Sequence, residues 1–130
     1  MKPITLEWVL KAEADFATVE RECRARRSPN YDGACFHAQQ AAEKYLKGYL
    51  VAKAIEFRCV HELAYLVRLC MGVESDFSTL LPPAAELQDY ATDVRYPPDE
   101  SEVLTQDDAR EAVQRAHEVR DFVRQALPEA

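Results

Sequence analysis

The chain has 130 residues, of which 48% are hydrophobic and 30% charged, and its formal net charge at pH 7 is −7. This length fits one domain, residues 1–130, and the composition excludes a disordered chain. The negative charge excludes a general nucleic-acid binder held by bulk electrostatics, and no apolar run approaches the roughly 18 residues that a membrane span requires.

The four cysteines and the start of the chain point to a cytoplasmic protein. Met1-Lys2-Pro3 leads directly into an amphipathic pattern instead of a secretory signal. The cysteines have no C-x-x-C spacing, so we expect them to be reduced residues of the core. They are Cys23, Cys35, Cys59 and Cys70.

Helix-forming residues dominate the sequence, and the spacing of apolar positions predicts five helices. The first is expected over residues 5–26, and the second over residues 31–54, with Ser28 or Asn30 as its N-cap. The apolar stripe of the first helix consists of Val9, Ala12, Phe16, Val19 and Cys23.

The third helix is expected over residues 61–71, ending at Gly72, and a looser acidic connection follows it. Pro82-Pro83 begins the fourth helix, and Pro97-Pro98 ends it, because a residue before proline resists the helical conformation. The inward face of this helix is expected to contain Leu87, Tyr90, Ala91 and Val94.

The last helix begins at Thr105 with a pattern that resembles a capping box, in which Asp108 replaces the usual Glu. No segment alternates with period two, so the sequence predicts an all-α, antiparallel up-and-down bundle of four to five helices. The inner stripe of the last helix is expected to be Ala109, Val113, Ala116, Val119, Val123 and Leu127.

The second helix carries a row of polar side chains, His37, Gln40, Lys44 and Lys47. A helical advance of about 100° per residue places all four within an arc of about 80°. An imidazole, an amide and two ammonium groups in one row could bind an anion or a base edge. The alternative is a solvated helix face, in which Glu43 pairs with Lys47 at the favourable i,i+4 spacing.

Charge is unevenly distributed along the chain. Residues 20–68 contain nine Lys or Arg against six Asp or Glu, whereas the rest of the chain has seven against seventeen. Binding of a nucleotide or a short RNA loop at a local basic site is therefore compatible with the negative net charge of the whole chain.

Three sequence blocks together resemble the HEPN domain family: FHAQQAAEKYLK over residues 36–47, His61-Glu62-Leu63, and Arg95-Tyr96-Pro97. The resemblance covers essentially the whole chain. It implies a bundle of four to five helices, usually a homodimer, that binds a nucleotide or RNA. It also implies a partner, a minimal nucleotidyltransferase in a toxin–antitoxin pair, and no cofactor other than a bound nucleotide.

With this resemblance, the candidate ligand-binding set extends beyond the polar row of the second helix. His61 could instead contact a backbone carbonyl or the core, and Arg95 could complement the dipole of the fourth helix. Packing under the loop is the alternative for Tyr96. The candidate set is His37, Gln40, Lys44, Lys47, His61, Arg95 and Tyr96.

Some HEPN proteins are metal-independent endoribonucleases, marked by an Arg followed after four to six residues by a His. No histidine occurs in residues 96–102 after Arg95. Arg110 and His117 match the spacing, but they lie inside the last helix on a strip, shared with Arg124, that we expect to be solvated. Whether the chain is an enzyme therefore stays open. A metal-independent RNase and a purely structural dimerisation domain are the two alternatives to the binding module. No two His or Cys share an i,i+4 spacing, so we expect no metal site.

Overall fold

The computed structural model describes residues 1–90 and 104–128, and within them every element of regular secondary structure is a helix. A six-residue 3₁₀ helix, Ser75–Leu80, leads directly into the fourth α-helix. The five α-helices are α1 (Pro3–Arg24), α2 (Tyr31–Ala52), α3 (Leu63–Met71), α4 (Leu81–Gln88) and α5 (Gln106–Ala126). The all-α prediction is confirmed.

Helix α2 is the centre of the bundle. It packs along α1 on one side and α5 on another, and α3 and α4 cover a further part of it. The apolar side expected from the sequence is buried, but burial also extends to the polar positions Glu43 and Lys47. Buried polar groups on this helix therefore need partners from the neighbouring elements.

Side chains cap α2 and α5 where the sequence predicted. Of the two candidate caps for α2, Asn30 is the one used, because its Oδ1 accepts a hydrogen bond from the Gly33 N–H at 2.8 Å. At α5, Thr105 and Asp108 satisfy each other's backbone N–H groups in a capping box. These bonds fix the residues at which α2 and α5 begin.

The fourth helix is shorter than predicted. It ends at Gln88, where the Tyr90 N–H bonds to the Leu87 carbonyl three residues back and tightens the chain into a turn. Part of the segment expected to be a looser connection is instead the 3₁₀ helix. Two of its side chains, Phe77 and Leu80, are buried. Ala91, Val94 and Pro97-Pro98 lie outside the described residues.

Several residues expected in the core are not fully buried, among them Cys23 and Tyr90, which are only partly buried against it. Val113 is only partly buried, because Ala112 occupies the inner position of α5 beside Ala109 and Ala116. Cys59 is exposed, whereas burial raises the pKa of Cys35 and that of Cys70 to about 12. All four cysteines are free.

None of the helices in residues 1–90 and 104–128 combines the length and apolarity that crossing a membrane would require.

Candidate functional site

A buried carboxylate on α1 positions two members of the polar row of α2. Asp15, whose side chain is only 9% exposed, accepts contacts from both neighbours on the facing helix. The His37 Nδ1 lies 2.8 Å from Asp15 Oδ1, and the Lys44 Nζ lies 2.6 Å from Asp15 Oδ2. We call Asp15, His37 and Lys44 the Asp15 cluster.

Both basic members of the Asp15 cluster keep hydrogen-bonding capacity for a ligand. An ammonium group has three N–H donors, so one bond from Lys44 to Asp15 leaves two. With Nδ1 of His37 directed at Asp15, Nε2 is the ring atom that stays available. The side chains of His37 and Lys44 are 37% and 23% exposed, so a ligand can reach them.

A second buried carboxylate, Glu43, organises the other half of the candidate set. Its side chain is 4% exposed, and it contacts the Lys47 Nζ at 3.2 Å and the His61 Nδ1 at 3.0 Å. The Gln39 Nε2 donates to the same carboxylate at 3.4 Å, and Gln40 donates to the Gln39 Oε1 at 2.8 Å. We call these five residues the Glu43 cluster.

Within the Glu43 cluster the two basic residues differ in access. The Lys47 side chain is 9% exposed, pairs with Glu43 at the i,i+4 spacing, and has its Nζ 5.8 Å from the centroid of the Phe57 ring. These contacts favour the structural role for Lys47. His61 is 63% exposed, and since its Nδ1 faces Glu43, Nε2 is left for a ligand.

Arg95 and Tyr96 lie in residues 91–103, outside the part of the chain that the structure describes. Their expected approach to α2 stays a prediction.

Arg110 and His117 lie apart on α5 and have different surroundings. An advance of seven residues along the helix separates the two Cα atoms by about 10 Å. Arg110 is exposed, but His117 stacks on the buried Phe16 with ring centroids 4.8 Å apart. The expectation of a solvated strip is therefore wrong at His117, because Phe16 on α1 covers it. Burial, followed by the charge of Arg120, lowers the pKa of His117.

Arg124, on the same strip, joins three helices. Its Nε donates to the Tyr45 Oη at 2.9 Å, and the Tyr45 hydroxyl donates to Glu13. Arg120 approaches the same Glu13 at 3.6 Å. Burial, and then the bond to Glu13, raises the pKa of Tyr45 to about 12, so this hydroxyl stays protonated. The network fastens α5 to α1 and α2.

Sequence reasoning missed Asp15, which holds two of the candidate residues. The available signal was its position directly before Phe16, at the edge of the apolar stripe of α1 and facing α2. A charged residue at the border of a buried stripe needs a partner from the neighbouring element. Among the described residues, no group of three His, Cys, Asp or Glu side chains could hold a metal ion.

Two comparisons with known proteins identify the same family. The sequence profile of the HEPN domain matches residues 5–126. The crystal structure of ST0689, an archaeal HEPN homologue, superposes with a TM-score of 0.71 at 30% identity, covering 97% of this chain and 98% of that one. TT1696 from Thermus thermophilus superposes with a TM-score of 0.76 at 26% identity, covering 95% of this chain and 98% of that one. No curated protein sequence matches the chain significantly.

Proposed function

The chain belongs to the HEPN domain family, and we propose that it is a nucleotide- or RNA-binding module whose ligand contacts the exposed side of α2. HEPN domains are often related to nucleotides or RNA, which supports this class of ligand. The proposed phosphate contacts are His37 and Lys44, and Gln40 lies on the same side of α2 as a further candidate. His61, which follows α2 and contacts Glu43, is another candidate.

The observation that carries the proposal is the double attachment of His37 and Lys44 to the buried Asp15. Free lysines on a helix surface lose side-chain entropy when they hold a ligand. Here the carboxylate has already fixed both groups, at 2.8 Å and 2.6 Å, and the Lys44 ammonium keeps two N–H donors. A phosphate can then accept charge-assisted hydrogen bonds from groups that are already ordered.

The biological setting is the finer part of the proposal. HEPN domains often dimerise, and we propose that this one is a homodimer. We further propose that it works in the cytoplasm as the partner of a minimal nucleotidyltransferase in a toxin–antitoxin-type pair. Arg95 and Tyr96 are retained as candidate ligand contacts. Cleavage through Arg110 and His117 stays the alternative, but no contact in the described residues favours it.

Titration calorimetry with a short single-stranded RNA tests the binding proposal. Lys44→Ala and Arg95→Ala should each weaken binding by about 1–3 kcal/mol, the range for charge-assisted hydrogen bonds. Binding should also weaken as salt is added, since the ligand is an anion. RNA recovered after the titration should be intact on a gel if the module binds without cleaving.

Lys53→Ala is the matched control for Lys44→Ala. Lys53 follows α2 directly and is exposed, so its replacement removes the same charge outside the polar row. Equal affinity of wild type, Lys44→Ala and Arg95→Ala, with helical content unchanged, would reduce the row to a solvated face. Cleavage of the RNA that His117→Ala abolishes would support the enzyme instead.

A further inference from the structure

A stripe of residues on α1 continues the Asp15 cluster toward the start of the chain. Ile4, Trp8, Lys11 and Asp15 follow one another at spacings of three or four residues, so they lie on one side of the helix, facing α2. The stripe begins with an apolar residue and an indole and ends at the carboxylate that holds Lys44. Its chemistry therefore changes from apolar to polar along about 16 Å.

A groove lies between this stripe and α2. Its volume is about 310 Å³, and it is lined by Ile4, Glu7, Trp8, Lys11 and Lys44. This volume is at the lower end of the range of about 300–1,000 Å³ that small-molecule sites occupy. Lys44 belongs both to the groove and to the Asp15 cluster, so the two are contiguous.

Close helix packing keeps the indole at the surface. A Cβ added at Gly48 of α2 would lie 3.0 Å from the Trp8 Cβ, so α1 and α2 approach each other closely beside Trp8. Trp8 remains only half-buried, and Ile4 above it is 47% exposed. An aromatic face and an aliphatic side chain are thus open to a ligand at the apolar end of the groove.

The charges of the groove favour an anionic ligand with a flat aromatic part. Two ammonium groups and one carboxylate line it, although the whole chain carries a net charge of −7. Aromatic side chains bind nucleobases by stacking, and ammonium groups bind phosphates as point charges. We propose that the groove receives the base of a nucleotide against Trp8 while Lys11 and Lys44 hold its phosphate, an inference that rests on the proposed function.

Trp8 is the only tryptophan of the chain, so its fluorescence reports on this groove alone. Adenosine 5′-monophosphate should quench the emission as it binds, whereas ribose 5-phosphate, which lacks the base, should bind more weakly without quenching. In calorimetry, Trp8→Leu should lower the affinity for adenosine 5′-monophosphate about 5- to 150-fold, the loss expected for one base–aromatic stack. Trp8→Phe should restore most of it.

Two controls match these variants. Leu10→Ala removes another exposed apolar side chain of α1, 59% exposed and outside the groove, and should leave affinity unchanged. Lys11→Ala should weaken binding, whereas Lys53→Ala should not. Circular dichroism of every variant verifies that the helical content is kept.

The outcomes separate this inference from the proposed function. Binding that Lys44→Ala weakens but Trp8→Leu leaves unchanged would overturn the base site alone. Absence of any nucleotide binding would overturn both. A change of Trp8 emission on diluting the protein without ligand would identify a second copy of the chain as the occupant, and would also overturn the inference.

Discussion

Two carboxylates, Asp15 and Glu43, carry the polar chemistry of this bundle at the scale of single residues. Each is almost fully buried, and each contacts one histidine and one lysine. A buried acid without partners is costly, so the four basic side chains are held in place by the same contacts that stabilise the acids. The access of those basic side chains to a ligand nevertheless differs, because Lys47 is enclosed whereas His61 projects outward.

His117 provides a residue-scale prediction that concerns acid stability. Burial lowers its pKa from the ordinary value of 6.5, so folding favours the neutral imidazole. As pH falls through 6.5 the unfolded chain takes up a proton before the folded chain does, and stability is lost until the folded pKa is passed. Above pH 6.5 this stabilisation is fully present.

Urea unfolding of the wild type and His117→Gln, at a pH well above 6.5 and again well below it, measures this effect. The wild type should lose more stability on acidification than the variant. Parallel pH curves for the two proteins would show that His117 is no more buried in the folded state than in the unfolded one.

At the scale of helices, the sequence predicted where α2 and α5 begin more accurately than where α4 ends. Capping depends on neighbouring residues, such as Thr105 with Asp108, and is therefore visible in a local pattern. The end of α4 at Gln88 involves a distant element, because the Gln88 Oε1 accepts from the Leu63 N–H of α3 at 2.7 Å. No local pattern could indicate that bond.

The same distinction between local patterns and contacts with distant elements explains which features of the candidate site the sequence predicted. Periodicity on α2 predicted that His37 and Lys44 share a side, since this follows from helical geometry alone. It could not predict that Asp15, 22 and 29 residues earlier in the chain, holds them both. It also placed Lys47 beside them, although the contact with Phe57 from the following loop encloses that side chain.

Thr105 provides the prediction at this scale. Thr105→Ala removes the side-chain half of the capping box at α5 and should cost about 0.5–2 kcal/mol in the free energy of unfolding. Thr105→Ser retains the hydroxyl and serves as the matched control, with little change expected. Urea denaturation of the three proteins measures the difference, and equal stability of Ala and Ser variants would mean that the cap contributes nothing.

At the scale of the whole molecule, the chain is an acidic bundle with its polar contacts concentrated around a central helix. α1, α3, α4 and α5 all pack on α2. The exposed apolar side chains of α1, with Leu10 the most exposed at 59%, lie outside this packing. In the homodimer that we propose, a second copy of the chain would bind to the surface of the bundle.

Light scattering during size-exclusion chromatography tests that proposal. A homodimer should have a mass about twice the 14.8 kDa of one chain, and dilution should lower it if association is reversible. A mass of one chain at every concentration would contradict the homodimer. The same experiment on Leu10→Ala shows whether the exposed face of α1 contributes to association.

The enclosure of α2 also has a consequence for the order of folding. Contacts between α1 and α2 join residues that are near in sequence, 22 apart for Asp15 and His37, whereas Arg124 and Tyr45 are 79 apart. Closing a short loop costs less entropy than closing a long one, so we expect the α1–α2 hairpin to form before α5 docks on it. Every residue of the Asp15 cluster belongs to that hairpin. The proposed ligand contacts would then be assembled by the early step, and the later docking of α5 would stabilise the folded bundle.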